Sequence, residues 1–393
     1  MTLAHPIARA WLSTGGTGAQ NYDEFADEAE ITAIIAANPA SALAIEMPHR
    51  APDSAGRSFT DSLPDAVRRL DAAKASGRYV PHEDVVGLYR ISGAGQPAYG
   101  LWCMVDTDQI STSADEPGLV IRNEDVFPEK VRERVALAEA LGHLLSPVLL
   151  LQTATGEDLR AALAAAIDGA GAPAVIDTDP AGRVHEIWVL GAGPARDRLL
   201  TLASRGELVV ADGNHRSLAA QTARLPRFLA VVTAPGSVAI QPYHRLVTEV
   251  VGDPLAAGVP QPLSGTPGVP SHSGTVHLYT SGGAWALRLP PDPDAAAVDN
   301  LDHALVERRL LGEALGLDPG DKRIIYVGGD YPSTWLCGEV DAGRADLAVL
   351  IAPVTVDDFV AVNLARQKMP RKSTWFTPKA RAGLVVAELH TEG

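Results

Sequence analysis

Between residues 147 and 233 the chain alternates short apolar runs with helix-like stretches, and this alternation constrains the fold more than any other feature. Residues 147–152 read as a short apolar strand, 157–168 as an Ala-rich helix, and 174–177 and 185–190 as strands. A helix is predicted over 197–204. The strand predicted over 207–211 runs directly into Asp212-Gly213-Asn214-His215-Arg216, followed by a helix over 217–224 and a strand over 228–233. This part of the chain is therefore α/β.

The flanks are mixed α+β, and no single sheet order follows from them. Residues 22–38 predict one amphipathic helix, entered through Asp23 and ended before Pro39, because proline disfavours helix in the residue ahead of it. A short strand is expected over 42–46, a helix over 62–77 stopped by Gly77, and strands over 85–91 and 98–105 around the turn Ser92-Gly93-Ala94-Gly95. A long helix is expected over 129–145. Residues 252–273, dense in Pro, Gly and Ser, read as an exposed loop or linker. Strands at 275–280, 284–288, 323–327 and 345–351 and helices at 302–315 and 356–364 complete the prediction.

At 393 residues the chain is long enough for two or three domains, each with its own core. With 33 Lys+Arg against 48 Asp+Glu the net charge is −15, which argues against binding nucleic acid through phosphate neutralisation. No apolar run approaches the ~18 residues of a membrane span. The first residues lack the charged and apolar regions of a secretory signal. Two cysteines, Cys103 and Cys337, cannot build a disulfide scaffold or a Cys-rich zinc site. A soluble, reduced, cytoplasmic protein is expected. Three of the six lysines, Lys368, Lys372 and Lys379, fall in one short stretch near the C-terminus.

Several catalytic motifs are missing: there is no G-x-x-x-x-G-K-[ST], G-x-S-x-G, H-E-x-x-H or C-x-x-C. The run Gly191-Ala192-Gly193-Pro194-Ala195-Arg196 puts Arg196 where a dinucleotide fingerprint needs its third glycine, so it reads as an ordinary strand–turn–helix connection. No histidine pair has helical metal-ligand spacing beside a carboxylate, so no zinc site is expected.

The segment Leu208–Ser217 is the strongest candidate site. Gly213 lets the backbone turn tightly or approach a ligand. The helix start that follows offers free N–H groups and positive dipole to a phosphate, and Arg216 can add a bidentate contact. Asp212 can hold Mg²⁺ or orient His215. The same residues also make sense as a capped helix start with His215 and Arg216 in solvent.

The A-D-G-N-H-R sequence at 211–216 resembles the D-G-H-H-R signature of the ParB/sulfiredoxin-like superfamily, in the branch that includes free-serine kinases. The chain as a whole resembles the domain-of-unknown-function family 1015, a relative of that branch. Asn21-Tyr22-Asp23 is similar to that family's P-Y-D-V-I, and Asn38-Pro39-Ala40-Ser41 to its N-P-x-S. Tyr243-His244-Arg245-Leu246-Val247 is similar to T-H-R-L-V. The C-terminal M-P-R-K-S-T-W-F-T-P-K at 369–379 is close to M-P-P-K-S-T-Y-F-Y-P-K.

The resemblance implies a ParB/sulfiredoxin-like nucleotide-binding core over 118–250. This core would carry an N-terminal α+β region, 1–117, a loop or linker, 251–274, and a C-terminal α/β region, 275–393. It further implies a kinase that transfers phosphate from ATP or ADP, with Mg²⁺, to the hydroxyl of free L-serine or a similar hydroxy amino acid. Glu124 would be the general base, since a free alcohol needs one. Gly213, Asn214 and Arg216 would hold nucleotide phosphates, with His215 beside them and Asp212 on the metal or the transferred group. Lys372, Ser373 and Thr374 would grip phosphate or a substrate carboxylate, and His244 and Arg245 would complete the substrate site.

The chain departs from this pattern at three places. Asn214 replaces the first histidine of D-G-H-H-R, Asn123-Glu124 stands for H-E, and Arg371 replaces a proline. Asn hydrogen-bonds but carries no exchangeable charge, so phosphate holding survives the change better than the detailed mechanism. Two other readings stay open: a ParB-type nucleotide switch or hydrolase, and a non-catalytic ligand-binding protein.

Overall fold

The structure, a computed structural model, describes residues 2–15, 20–22, 24–25, 28–93, 95–111 and 118–389. Asp23 and Ala94, named above in a helix entrance and a turn, lie outside these residues. The chain forms two units: Met1–Val238 with Pro378–Gly393, and Ala239–Thr377.

The first unit is built on a mixed thirteen-stranded sheet. Its middle runs Val120–Ile121, Leu208–Asp212, Val148–Gln152, Arg227–Thr233, Ala98–Asp106, Tyr79–Ser92, Ile7–Ser13 and Val385–Glu388. Val148–Gln152 is buried along its whole length, which is why its sequence is a continuous apolar run rather than an alternating one. It pairs parallel with Arg227–Thr233 and antiparallel with Leu208–Asp212. The latter ladder shifts register between Val210 and Asp212. Such irregularities re-aim the end of a strand, and here the strand end carries Asp212. Helices Gly156–Asp168 and Pro194–Ala203 pack Leu159, Leu163, Leu199 and Leu202 against Leu150, Val210 and Val232. Each fully buried aliphatic side chain contributes roughly 1.5–3 kcal/mol.

The second unit contains a six-stranded sheet ordered Val259–Leu263, Gly283–Arg288, Thr275–Thr280, Leu347–Leu350, Tyr243–Val247, Ile324–Gly328, and a two-stranded ladder of Ala239–Gln241 with Trp375–Thr377. Those pairings bind residues 239–247 to the second unit, so the contact boundary falls at Val238/Ala239 rather than at 250/251. Nor do the expected boundaries 117/118 and 274/275 coincide with a unit boundary. Residues 378–393 rejoin the first unit, where Val385–Glu388 pairs with Ile7–Ser13.

Most predicted elements are present, with shifted ends, and the differences have local causes. Residues 42–46 form a helix, not a strand: Ser41 Oγ accepts the Ala44 N–H at 3.3 Å and caps it. Five apolar-rich residues carry no usable period, so the cap decides. The predicted 22–38 helix begins only at Glu28 among the described residues. Part of the expected 252–273 loop is the edge strand Val259–Leu263, whose Pro260 and Pro262 are tolerated because an edge strand need not donate on both sides. The 302–315 helix is α over Asp302–Leu305 and π-wound over Val306–Ala314. No described helix is long and apolar enough to cross a membrane.

Gly383 seats the returning C-terminal segment. Its φ is +76°, its carbonyl accepts the Tyr79 hydroxyl at 2.8 Å, and a Cβ there would lie 2.2 Å from Ala42 Cβ. Gly383→Ala is therefore expected to lower unfolding free energy by about 2 kcal/mol or more in denaturant titrations. An unchanged midpoint would contradict this docking.

Candidate functional site

The site is assembled in the first unit at the end of strand Leu208–Asp212. Gly213 has φ +100°, a left-handed conformation suited to glycine. A Cβ there would meet Val148 Cα at 3.2 Å, so the glycine is also required by close approach. The helix then begins at once, as Asn214–Thr222, three residues earlier than the sequence predicts. Its first turn, Asn214, His215, Arg216 and Ser217, is buried rather than solvated.

Two of these side chains clamp the segment that carries Glu124. Asn214 Nδ2 donates to Asn123 Oδ1 at 2.6 Å, and Asn123 N donates to Asn214 Oδ1 at 3.2 Å. The two residues that depart from the D-G-H-H-R and H-E patterns thus touch each other. His215 Nε2 accepts the Phe127 N–H at 3.0 Å, and the two rings stack at 6.0 Å with 6° between planes. Glu124, half-buried, lies between these anchors at Asn123 and Phe127. His215 was expected in catalysis; its Nε2 is committed to a backbone donor, so its visible work is positioning.

Asp212 lies between two buried cations. Arg216 Nη2 donates to its Oδ2, and Lys379 Nζ stands 3.7 Å from its Oδ1. Arg216 Nη1 donates to the Pro147 carbonyl. Arg216 was expected to offer a bidentate fork to phosphate. Instead its guanidinium ties the turn to Asp212 and to the residue before strand Val148–Gln152. Lys379 is only 5% exposed, and buried charges persist only when paired in this way.

Sequence reasoning missed Lys379, although its signal was present: it is one of six lysines and closes the M-P-R-K-S-T-W-F-T-P-K motif. Its neighbours are pinned by residues of another motif. The fully buried Asn21 donates from Nδ2 to Ala380 O at 3.1 Å and accepts Ala382 N at 2.8 Å. Arg381 pairs with Glu24 and, at 3.1 Å, with Asp179. Asp179 in turn takes Arg183 Nε at 2.7 Å and His185 Nε2 at 3.2 Å, while His185 Nδ1 meets the Tyr89 hydroxyl at 2.5 Å. Burial alone would raise the Asp179 carboxyl, but His185, Arg183 and Arg381 outweigh it and hold it far below the usual carboxylate range.

The other expected site residues lie in the second unit, where the structure brings them together. Arg245 is fully buried. Its guanidinium donates to Glu307 Oε1 at 3.0 Å and to the carbonyls of Tyr243, His244, Arg371 and Lys372 at 3.0–3.3 Å. It fixes the turn at Lys372, whose φ is +52°. Lys372 is half-buried, as is Thr374, whereas Ser373 is fully buried. His244 Nδ1 accepts the Ile351 N–H at 3.1 Å. His244 and Arg245 were expected on the substrate; both are enclosed, with His244 Nδ1 and the Arg245 guanidinium engaged inside the unit. Among the described residues no three His, Cys, Asp or Glu side chains gather as metal ligands.

Burial, then the Arg245 charge, lowers the His244 pKa to about 4. Between pH 6.5 and 4 the unfolded chain therefore binds a proton that the folded chain refuses, and stability falls as pH falls. The full penalty is on the order of 3 kcal/mol. Denaturant titrations across this range are expected to show that loss, and His244→Asn, which keeps an acceptor for Ile351, is expected to flatten it. Equal slopes in both proteins would refute the assignment.

The family described as "Protein of unknown function (DUF1015)" matches residues 17–304. No curated protein matches the chain. Among solved structures, SbnI with a C-terminal truncation from Staphylococcus aureus aligns at 12% identity with a TM-score of 0.42, covering 72% of this chain and 87% of its own. A free serine kinase in complex with AMP aligns at 12% identity and TM-score 0.39, over 72% and 92%. A conserved hypothetical protein from Pyrococcus furiosus aligns at 12% identity and TM-score 0.38, over 72% and 95%.

Proposed function

This chain belongs to the DUF1015 family, and we propose that it is a cytoplasmic phosphotransferase with a ParB/sulfiredoxin-like core, moving the terminal phosphoryl group of ATP or ADP to the hydroxyl of free L-serine or a similar small hydroxy amino acid. The observation that carries the reading is the meeting of Lys379, Arg216 and Asp212 at a helix start, beside a clamped Glu124 segment. Phosphoryl transfer asks for little else: positioned positive charge, donors for phosphate oxygens, and a base for the attacking alcohol.

The residue roles belong to the same proposal. The first N–H groups of helix Asn214–Thr222 and the left-handed Gly213 offer donors and positive dipole to phosphate oxygens. Lys379 supplies charge as the leaving oxygen gains electrons. Asp212 keeps that lysine in place. Glu124 takes the proton of the substrate hydroxyl, whose oxygen bonds to phosphorus as the bond to the nucleotide oxygen breaks, leaving ADP or AMP. Asp212 is the carboxylate that would hold Mg²⁺, sharing its charge with Arg216 and Lys379, and the ion would offset negative charge on the phosphates.

Glu124→Gln is expected to lower turnover by roughly 10²-fold or more while ADP affinity stays within about twofold, read by a coupled product assay and by calorimetry. Lys379→Met is expected to lower kcat with little change in the acceptor KM. Loss of ADP binding in a folded Glu124→Gln protein would remove Glu124 from the base role. Nucleotide loss that needs no acceptor would replace the kinase by a hydrolase.

A further inference from the structure

Behind Lys379, in the first unit, lies a chain of buried polar side chains that no proposed step uses. Asp179 is 6% exposed, Arg381 3%, and His185 and Tyr89 1% each. Such groups are costly to bury unless they find partners. Arg381 Nη2 donates to Asp179 Oδ2 at 3.1 Å, and His185 Nε2 lies 3.2 Å from the same oxygen. His185 Nδ1 lies 2.5 Å from the Tyr89 hydroxyl.

The chemistry of these groups fixes the direction of each bond. A carboxylate only accepts, so the imidazole proton of His185 sits on Nε2. Burial lowers the His185 pKa more than the Asp179 hydrogen bond raises it, so the ring is neutral at pH 7. Nδ1 is then an acceptor, and the Tyr89 O–H donates to it. Burial raises the Tyr89 pKa, and the Arg381 backbone amide, which faces the hydroxyl, opposes the rise. The contacts that leave Arg381 through its guanidinium thus return to its own backbone.

This loop bears on Lys379, two residues from Arg381. Tyr89 lines a cavity of about 10 Å³ together with Pro378 and Ala380, the two neighbours of Lys379. Room for about one water leaves these residues little space to shift. Leu149, which pairs in register with Asp212, lines the same cavity. The loop therefore abuts the backbone on both sides of the Lys379–Asp212 pair. A lysine is a point charge on a flexible stem, so the place of its backbone decides what its ammonium can reach.

We propose that the Asp179–His185–Tyr89–Arg381 loop holds Lys379 on Asp212, and that in phosphotransfer its members are positioning residues acting through Lys379. The second half of this statement rests on the function proposed above; the first half does not.

Lysine acylation of the full chain, followed residue by residue by mass spectrometry, tests the first half. Lys379 is expected to be protected in the wild type. In Tyr89→Phe, which removes one hydroxyl and keeps the ring, it is expected to react about fivefold faster or more, with the exposed Lys322 unchanged. His185→Phe, which removes both hydrogen bonds of the imidazole, is expected to do the same. Turnover tests the second half. Tyr89→Phe is expected to lower kcat about tenfold with both KM values within about twofold, and to have no further effect on kcat in a Lys379→Met background. Unchanged Lys379 acylation in folded Tyr89→Phe and His185→Phe overturns the proposal. Equal kcat losses from Tyr89→Phe with and without Lys379→Met overturn its second half. Faster Lys379 acylation in both variants of a protein that phosphorylates no acceptor leaves the loop standing and removes the kinase.

Discussion

The first unit depends on a contact between charges that water would otherwise claim. Lys379 and Arg216 are both nearly buried, and Asp212 is the carboxylate they share. Removing one partner of a buried ion pair typically costs about 3–5 kcal/mol, because the charge left behind is neither solvated nor paired. Loss of Asp212 would remove the shared carboxylate from both of them at once. The end of strand Leu208–Asp212, the left-handed Gly213, the helix start and the C-terminal return of the chain are therefore held to one another electrostatically. Apolar packing around Leu150 and Val210 stabilises the sheet, but it does not by itself say where Lys379 goes.

Around that contact, positioning is layered. Asn21 fixes the backbone on either side of Arg381, and Asp179 with His185 and Tyr89 stands behind the Arg381 side chain. On the other side Asn214 and His215 hold the two ends of the 123–127 segment. The Asn123–Asn214 pair changes the meaning of the departures from the family pattern. Replacing one histidine alone would break a contact, whereas two asparagines satisfy each other and do not titrate near neutral pH. Glu124 keeps a positioned neighbour in Asn123, a side chain that does not itself titrate near neutral pH.

Much of this was legible in the sequence, for physical reasons that can be named. Val148–Gln152 and Leu208–Asp212 were visible because strands buried on both faces must be continuous apolar runs. The Asp212–Arg216 turn was visible because strand, glycine and helix start follow without a gap. Residues 42–46 misled, since a short apolar segment has no period and its capping serine outweighed it. Val259–Leu263 misled because two prolines read as loop until the strand is known to be an edge. Arg216, His244 and Arg245 have side-chain types that suit ligands, yet only tertiary structure reveals that carbonyls and carboxylates take up donors of the two arginines and that a backbone N–H takes up His244 Nδ1. Lys379 needed the same information in the opposite sense: nothing local ties it to Asp212, more than 160 residues away.

The most direct test of the central claim is phosphorus NMR on the intact protein with Mg²⁺, ATP or ADP, and a panel of small hydroxy amino acids including L-serine. The account predicts a new phosphomonoester resonance that requires both nucleotide and acceptor and disappears in Asp212→Asn. A folded protein that yields no such resonance with any acceptor, or one in which Asp212→Asn leaves it unchanged, contradicts the account.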